Sequence, residues 1–292
     1  MRLNPLDTSK VKVRGGDTRG GRGRRAGGVG CGALVIALIG AVAFGLDPAD
    51  TLAVLSGGNT GSASSSQTAL GENLTERQRC STGPYAMEAC EALQSLNETW
   101  EPEFRRARIA FEEPELVLYP PGPINTRGCG STTSASGPFY CPADYGIYIE
   151  TSFFDQLAQM SGTRGDFARL YVMAHEYGHH IQNLIGTSDQ IRSLQQRNPQ
   201  VGNQLNVRME LQADCYAGVW AGKNRDRLDP GDMEEGLRAA ASVGDDLIAR
   251  NSGRRINPDN FTHGTSQQRM DALRLGLETA DESACDVYLD FR

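Results

Sequence analysis

Tyr171-Val172-Met173-Ala174-His175-Glu176-Tyr177-Gly178-His179-His180-Ile181-Gln182 is the stretch on which the reading of this chain turns. It holds His175 and His179 four residues apart, with Glu176 directly after the first. On an α-helix, positions i and i+4 stand on one face, so both imidazoles can reach a single metal ion. Glu176 is then placed to take a proton from a water at that ion, the arrangement of a hydrolytic zinc site. The flanking sequence predicts the helix this requires. Gly165-Asp166 offers a start, Phe167, Leu170, Ala174, Tyr177, Ile181 and Leu184 recur at helical spacing, and Gly186 offers a stop.

Two histidines do not complete such a site; a third protein ligand is expected, with one position left to water. Of the four histidines in the chain, only His263 lies outside this run, so the third ligand is His263 or a carboxylate. Glu210 and Asp214 stand at i and i+4 among Leu205, Met209, Leu211, Ala213, Ala217 and Trp220. Carboxylates on a partly buried face need a cation or hydrogen-bond donors. Glu210 therefore suits the third ligand, and Asp214 suits an acceptor that holds a ligand imidazole by its other N–H. The competing reading is a solvated helix face paired with Arg208 or Lys223. Cys215 follows Glu210 by five residues, about 140° around a helix, and so points away from the ion.

The chain of 292 residues, 22% charged, suits one medium catalytic domain with extensions. Its net charge of −7 is unevenly spread: residues 1–28 carry eight basic and two acidic side chains, a net +6, leaving −13 for the rest. Between these parts, Val29 to Leu46 is nearly all apolar or glycine, about the length of a bilayer span. Basic residues before it and Asp47 and Asp50 after it predict a single-pass anchor, with the N-terminus in the cytoplasm and the bulk outside. A cleaved signal peptide or a short core helix are the rivals. The basic tail is read as setting topology and touching anionic lipid, with no nucleic-acid partner expected.

Six cysteines follow the apolar stretch, and an exported location predicts disulfides, with fifteen pairings open. Pairing nearest neighbours gives Cys80–Cys90, Cys129–Cys141 and Cys215–Cys285; reduced core cysteines in a cytosolic enzyme are the alternative. The expected divisions are a basic cytoplasmic tail (1–28), an anchor (29–46), a Gly/Ser/Thr-rich tether (47–78) and a catalytic domain (79–292). Within the domain, helical patterns start at Pro84 and at Trp100, Leu116–Tyr119 reads as a strand, and 124–139 as loop. Tyr145–Ile149 alternates like a strand. Later helical patterns occupy about 189–197, 202–223, 231–250 and 264–280. The class is α+β, mostly helical with a small sheet, preceded by one transmembrane helix.

His175-Glu176-x-x-His179, Asn206-x-x-x-Glu210-x-x-Ala213-Asp214 and Thr262-His263-Gly264-Thr265-Ser266-x-x-Arg269 together resemble the gluzincin group of metallopeptidases. The chain most resembles the bacterial putative neutral zinc metallopeptidase family, and the similarity extends to Gly137–Asp144 and Ser152-Phe153-Phe154. The resemblance implies a zincin-like domain holding one Zn2+ by His175, His179 and Glu210, with Glu176 as base. It also implies Asp214 and Asn206 behind the ligands and a membrane-anchored or exported bacterial protein. The substrate expected is a peptide or protein, cut internally rather than from its ends.

His263, just before a helix started by Thr265 or Ser266, is the candidate oxyanion donor, with Tyr177 and Tyr216 as alternatives. His180 is expected to be structural. The strand Tyr145-Gly146-Ile147 is a candidate edge for pairing with extended substrate, or else an ordinary core strand. Rival functions are a zinc-stabilised binding scaffold without catalysis, and a zinc amidase acting on cell-wall material.

Overall fold

The computed structural model describes residues 1–17 and 74–289. Its sheet follows from short alternating runs. β1 (Lys12–Gly15), β2 (Glu115–Tyr119), β5 (Phe139–Cys141) and β6 (Gly146–Glu150) lie in the order β1-β2-β6-β5, and β3 (Pro123–Asn125) pairs with β4 (Ser131–Thr133) as a separate hairpin. β1, β2 and β6 are parallel, in a register that sets Val13 beside Leu116 and Leu116 beside Ile147; β5 runs antiparallel to β6.

Side chains alternate across the pleat. Val13, Leu116, Leu118, Ile147 and Ile149 face the main core, while Val117, Tyr119 and Tyr148 face a smaller cluster with Ile124, Phe139 and Cys141.

Nine helices of the described residues complete the domain. They are α1 (Glu76–Cys80), α2 (Pro84–Ala107), α3 (Phe153–Ser161), α4 (Asp166–Leu184), α5 (Thr187–Arg197), α6 (Gly202–Lys223), α7 (Asp232–Ser242), α8 (Asp245–Asn251) and α9 (Ser266–Thr279). α4 begins after Gly165 and ends just before Gly186, which sits in the left-handed region at φ 81°. Thr265 caps α9 through a capping box with Gln268. The mostly helical α+β class holds, and so do all three expected disulfides, Cys80–Cys90, Cys129–Cys141 and Cys215–Cys285.

Several expectations are corrected. The patterns starting at Pro84 and Trp100 form one helix, α2, with Pro102 inside it. The helix expected at 231–250 breaks at Gly244, where a Cβ would stand 2.3 Å from Ser266 N. The loop at 124–139 contains the β3–β4 hairpin. β6 is no edge: β2 flanks it on one side and β5 on the other, so Tyr145, Gly146 and Ile147 are not free to pair with a substrate strand.

The largest correction concerns the N-terminus. Residues 1–17, expected within a cytoplasmic tail, are woven into the domain: β1 extends the sheet, Arg2 N donates to Arg227 O, and Met1 and Val11 are buried. The Met1 ammonium pairs with Asp166 at 3.0 Å and Asp232 at 2.9 Å. Residues 76–78, expected in the tether, open α1. The anchor expected at 29–46 and most of the tether fall outside the described residues. Among the described residues, no helix is long and apolar enough to cross a membrane.

Candidate metal centre

Glycine brings the ligand-bearing helices together. A Cβ on Gly178 would stand 2.8 Å from Ala213 O, so α4 can press against α6 between His175 and His179 only because position 178 has none. A Cβ on Gly276 of α9 would stand 1.9 Å from Cys215 O, so α9 lies as tightly along α6 on another side. The Cys215–Cys285 disulfide ties α6 to the C-terminal turn, as the direction of Cys215 around the helix requires.

These contacts converge three side chains. His175 Nε2 lies 3.2 Å from Glu210 Oε2, and His179 Nε2 lies 3.5 Å from Glu210 Oε1. One donor atom from each lies within 4.8 Å of the other two, close enough for one ion to meet all three. Their chemistry, two imidazole nitrogens and a carboxylate, is that of a catalytic zinc site. The alternative of His263 as third ligand is not what these distances favour.

The field at this point favours positive charge. Burial opposes protonation of His175, yet the carboxylates of Asp214 and Glu210 raise its pKa to about 10. Burial likewise works against ionised Glu210, but His179 and His175 hold its carboxyl well below the ordinary range. The converging donors, two imidazole nitrogens and a carboxylate, fit a divalent ion.

Each ligand ring is held from behind. Asp214 Oδ1 lies 2.8 Å from His175 Nδ1, as expected, and is itself gripped by Tyr171 OH at 2.6 Å and by the Arg269 guanidinium. Gln182 Oε1 lies 2.9 Å from His179 Nδ1, while Gln182 Nε2 donates to Met209 O and Gln212 Oε1. Carbonyl and carboxylate partners on Nδ1 leave Nε2 of both rings as the ligand atom. Sequence reading missed Tyr171, Arg269 and Gln182 in these roles. The i−4 spacing of Tyr171 from His175 and the i+3 spacing of Gln182 from His179 were the available signals.

Other assigned residues lie elsewhere. Asn206 does not back a ligand; its Oδ1 accepts from Gln195 Nε2 at 2.6 Å, joining α6 to α5. Tyr177 donates to Asn97 Oδ1, and Tyr216 packs edge-on against Trp100; both are core residues. His180 is structural, between Tyr140 OH and Glu112 O, and burial lowers its pKa to about 4. His263 is buried beside α9, where Asp245 and Thr262 Oγ1 meet its Nδ1; its Nε2 has no hydrogen-bond partner among the described residues. It is close enough to Glu210 to help lower that carboxyl's pKa. Glu176 is buried between the ligands, and its carboxylate accepts no hydrogen bond among the described residues; burial pushes its pKa up. A second acidic group, Asp166 with Asp232 and Glu235, is met by the Met1 ammonium.

Comparison with known proteins gives a family. Residues 6–288 match the family described as "Putative neutral zinc metallopeptidase". An uncharacterized protein of Escherichia coli strain K12, YpfJ, is 44% identical over 199 residues, 67% of this chain and 69% of its own. Uncharacterized proteins of Mycobacterium bovis and Mycobacterium tuberculosis are each 39% identical over 207 residues, 66% of this chain and 67% of theirs. No solved structure matches the chain.

Proposed function

The chain belongs to the putative neutral zinc metallopeptidase family, and from that premise we propose that it cleaves internal peptide bonds at one zinc ion held by His175, His179 and Glu210. The observation that carries the reading is the convergence of those three donors around a Glu176 carboxylate that no protein group occupies. A zinc ion bound there would supply a Lewis acid that acidifies water and polarises the scissile carbonyl.

The chain's own groups supply the rest. Glu176, raised in pKa by burial, takes the proton of the attacking water and returns it to the leaving amine. Asp214 and Gln182 fix the two imidazoles so that neither rotates as charge develops. His263, whose Nδ1 accepts from the Thr262 hydroxyl, carries its proton on Nε2 and can donate it to the developing oxyanion. A peptide pairing with the sheet would lie along β5, the outer strand linked to α4 through Tyr140, His180 and Asn183. Membrane association through the apolar stretch at 29–46 belongs to the same proposal, with residues 1–17 and 74–289 on one side.

The test is cleavage of a diverse peptide library by the zinc-loaded chain, read by mass spectrometry, against Glu176→Gln. The expected result is internal cuts that fall at least about a hundredfold in the variant while its zinc content stays the same. Zinc-loaded wild-type protein that leaves every peptide intact, or a variant that cuts equally well, would overturn the reading.

A further inference from the structure

Beside His263 the surface opens into a cavity of about 370 Å³, walled by Asn203 at the start of α6, by α8, and by the loop carrying Arg254, Arg255, Asn257 and Phe261. This is enough space for a side chain together with its peptide unit. The cavity adjoins the metal centre along a defined path. Asn203 and Glu210 are seven residues apart on α6, hence on one stripe and about 10 Å apart along the axis. Asn203 Nδ2 donates to Asp259 O at 2.9 Å, which fastens the loop to the helix that carries the third ligand.

The charge of the wall points to its occupant. Neither Arg254 nor Arg255 makes an ion pair or a side-chain hydrogen bond among the described residues, although the chain as a whole is acidic. The one carboxylate on the wall, Asp245, is already engaged. Its Oδ2 accepts the amide N–H groups of Thr262, His263 and Gly264 at 2.8, 2.7 and 3.0 Å. Two uncommitted guanidiniums therefore face a cavity whose acid is occupied, and guanidinium forks match a carboxylate. Ile248 and Phe261 give the stem of an acidic side chain an apolar surface.

We propose that this cavity is a substrate subsite for a carboxylate. Extended peptide advances about 3.3 Å per residue, so the group it receives lies about three residues from the bond that is cut. The proposal rests on the peptidase reading for its substrate, and the cavity chemistry for its specificity.

The experiment uses the full chain, wild type and the exposed-surface double variant Arg254→Ser/Arg255→Ser, with peptides in which Glu or Gln is scanned through every position on both sides of a cut. A second arm compares free with amidated C-termini, separating a side-chain carboxylate from a terminal one. Wild-type protein is expected to prefer Glu to Gln about tenfold in kcat/KM at one position about three residues from the cut. The variant is expected to lose that preference and to keep its rate on the Gln peptides. No Glu preference in the wild type, or one unchanged in the variant, overturns the subsite. A preference confined to free C-termini assigns it to the terminal carboxylate instead of a side chain. If nothing is cleaved, the peptidase reading fails, and the same peptide pairs are read by fluorescence anisotropy. Glu-selective binding lost in the variant then upholds the subsite, and equal or absent binding overturns it.

Discussion

Asp214 and Arg269 meet in a buried pair, the two carboxylate oxygens facing the guanidinium at 2.8 and 2.9 Å. The same Asp214 Oδ1 faces His175 Nδ1, so an ion pair between α6 and α9 sets the orientation of a ring on α4. Three helices are thus locked at one carboxylate behind the metal position.

Asp214→Asn should weaken zinc binding by about 10- to 100-fold, because His175 loses the partner that fixes its ring. It should also destabilise the fold by about 3–5 kcal/mol, since Arg269 is left buried without its counter-charge. Adding Arg269→Gln should recover part of the stability and none of the zinc affinity. Chelator competition and denaturant titration measure the two effects; wild-type zinc affinity in Asp214→Asn would remove Asp214 from this role.

Gln182 lies on the other ligand and carries no charge, so its removal separates ring orientation from ion pairing. Gln182→Met keeps the side-chain volume but leaves His179 Nδ1 and Met209 O without their partner. About a tenfold loss of zinc affinity is expected, measured by the same competition. An unchanged affinity would show that His179 is held by packing alone.

His180 gives acid sensitivity that does not pass through the metal ligands. Burial lowers its pKa to about 4 in the folded chain, against about 6.5 when exposed. Above pH 6.5 the ring is neutral in both states and contributes no pH dependence. As pH falls from 6.5 toward 4, the unfolded chain takes up the proton first, so stability declines, by about 2 kcal/mol at pH 5. Urea titrations at pH 7 and pH 5 should show this loss in the wild type and a smaller one in His180→Gln. Equal losses in both would contradict the assignment.

The fold also predicts a topology. Cysteines introduced at Ser9 and Gln267, both exposed, should react alike with a membrane-impermeant maleimide applied to intact cells. Labelling of one and protection of the other would place β1 and α9 on opposite sides of a membrane, which the β1–β2 pairing does not allow.

Much of the metal centre is written locally. His175 and His179 are set by helical spacing, and Glu210 and Asp214 declare themselves as acids on an apolar helix, so each is readable from its neighbours. What escapes is set by distant pairing. β1 is four residues, Lys12-Val13-Arg14-Gly15, inside a basic run, and its partner begins at Glu115. Charge there suggests a tail, while the register that buries Val13 depends on a strand about a hundred residues away. Tyr145–Ile149 reads correctly as a strand, but whether it is an edge depends on β5 and β2 together, which periodicity does not encode. Asn206 shares a helix with Glu210 and Asp214, yet one turn into α6 it meets Gln195 and not a ligand.

The central claim is that α4 and α6 hold one zinc ion between His175, His179 and Glu210. Anomalous diffraction collected at the zinc edge from crystals of the zinc-loaded protein tests it most directly. The account predicts a single peak per chain, within bonding distance of His175 Nε2, His179 Nε2 and a Glu210 carboxylate oxygen. A peak elsewhere, such as between Asp166 and Asp232, or a peak bound by the two histidines with Glu210 turned away, would contradict it.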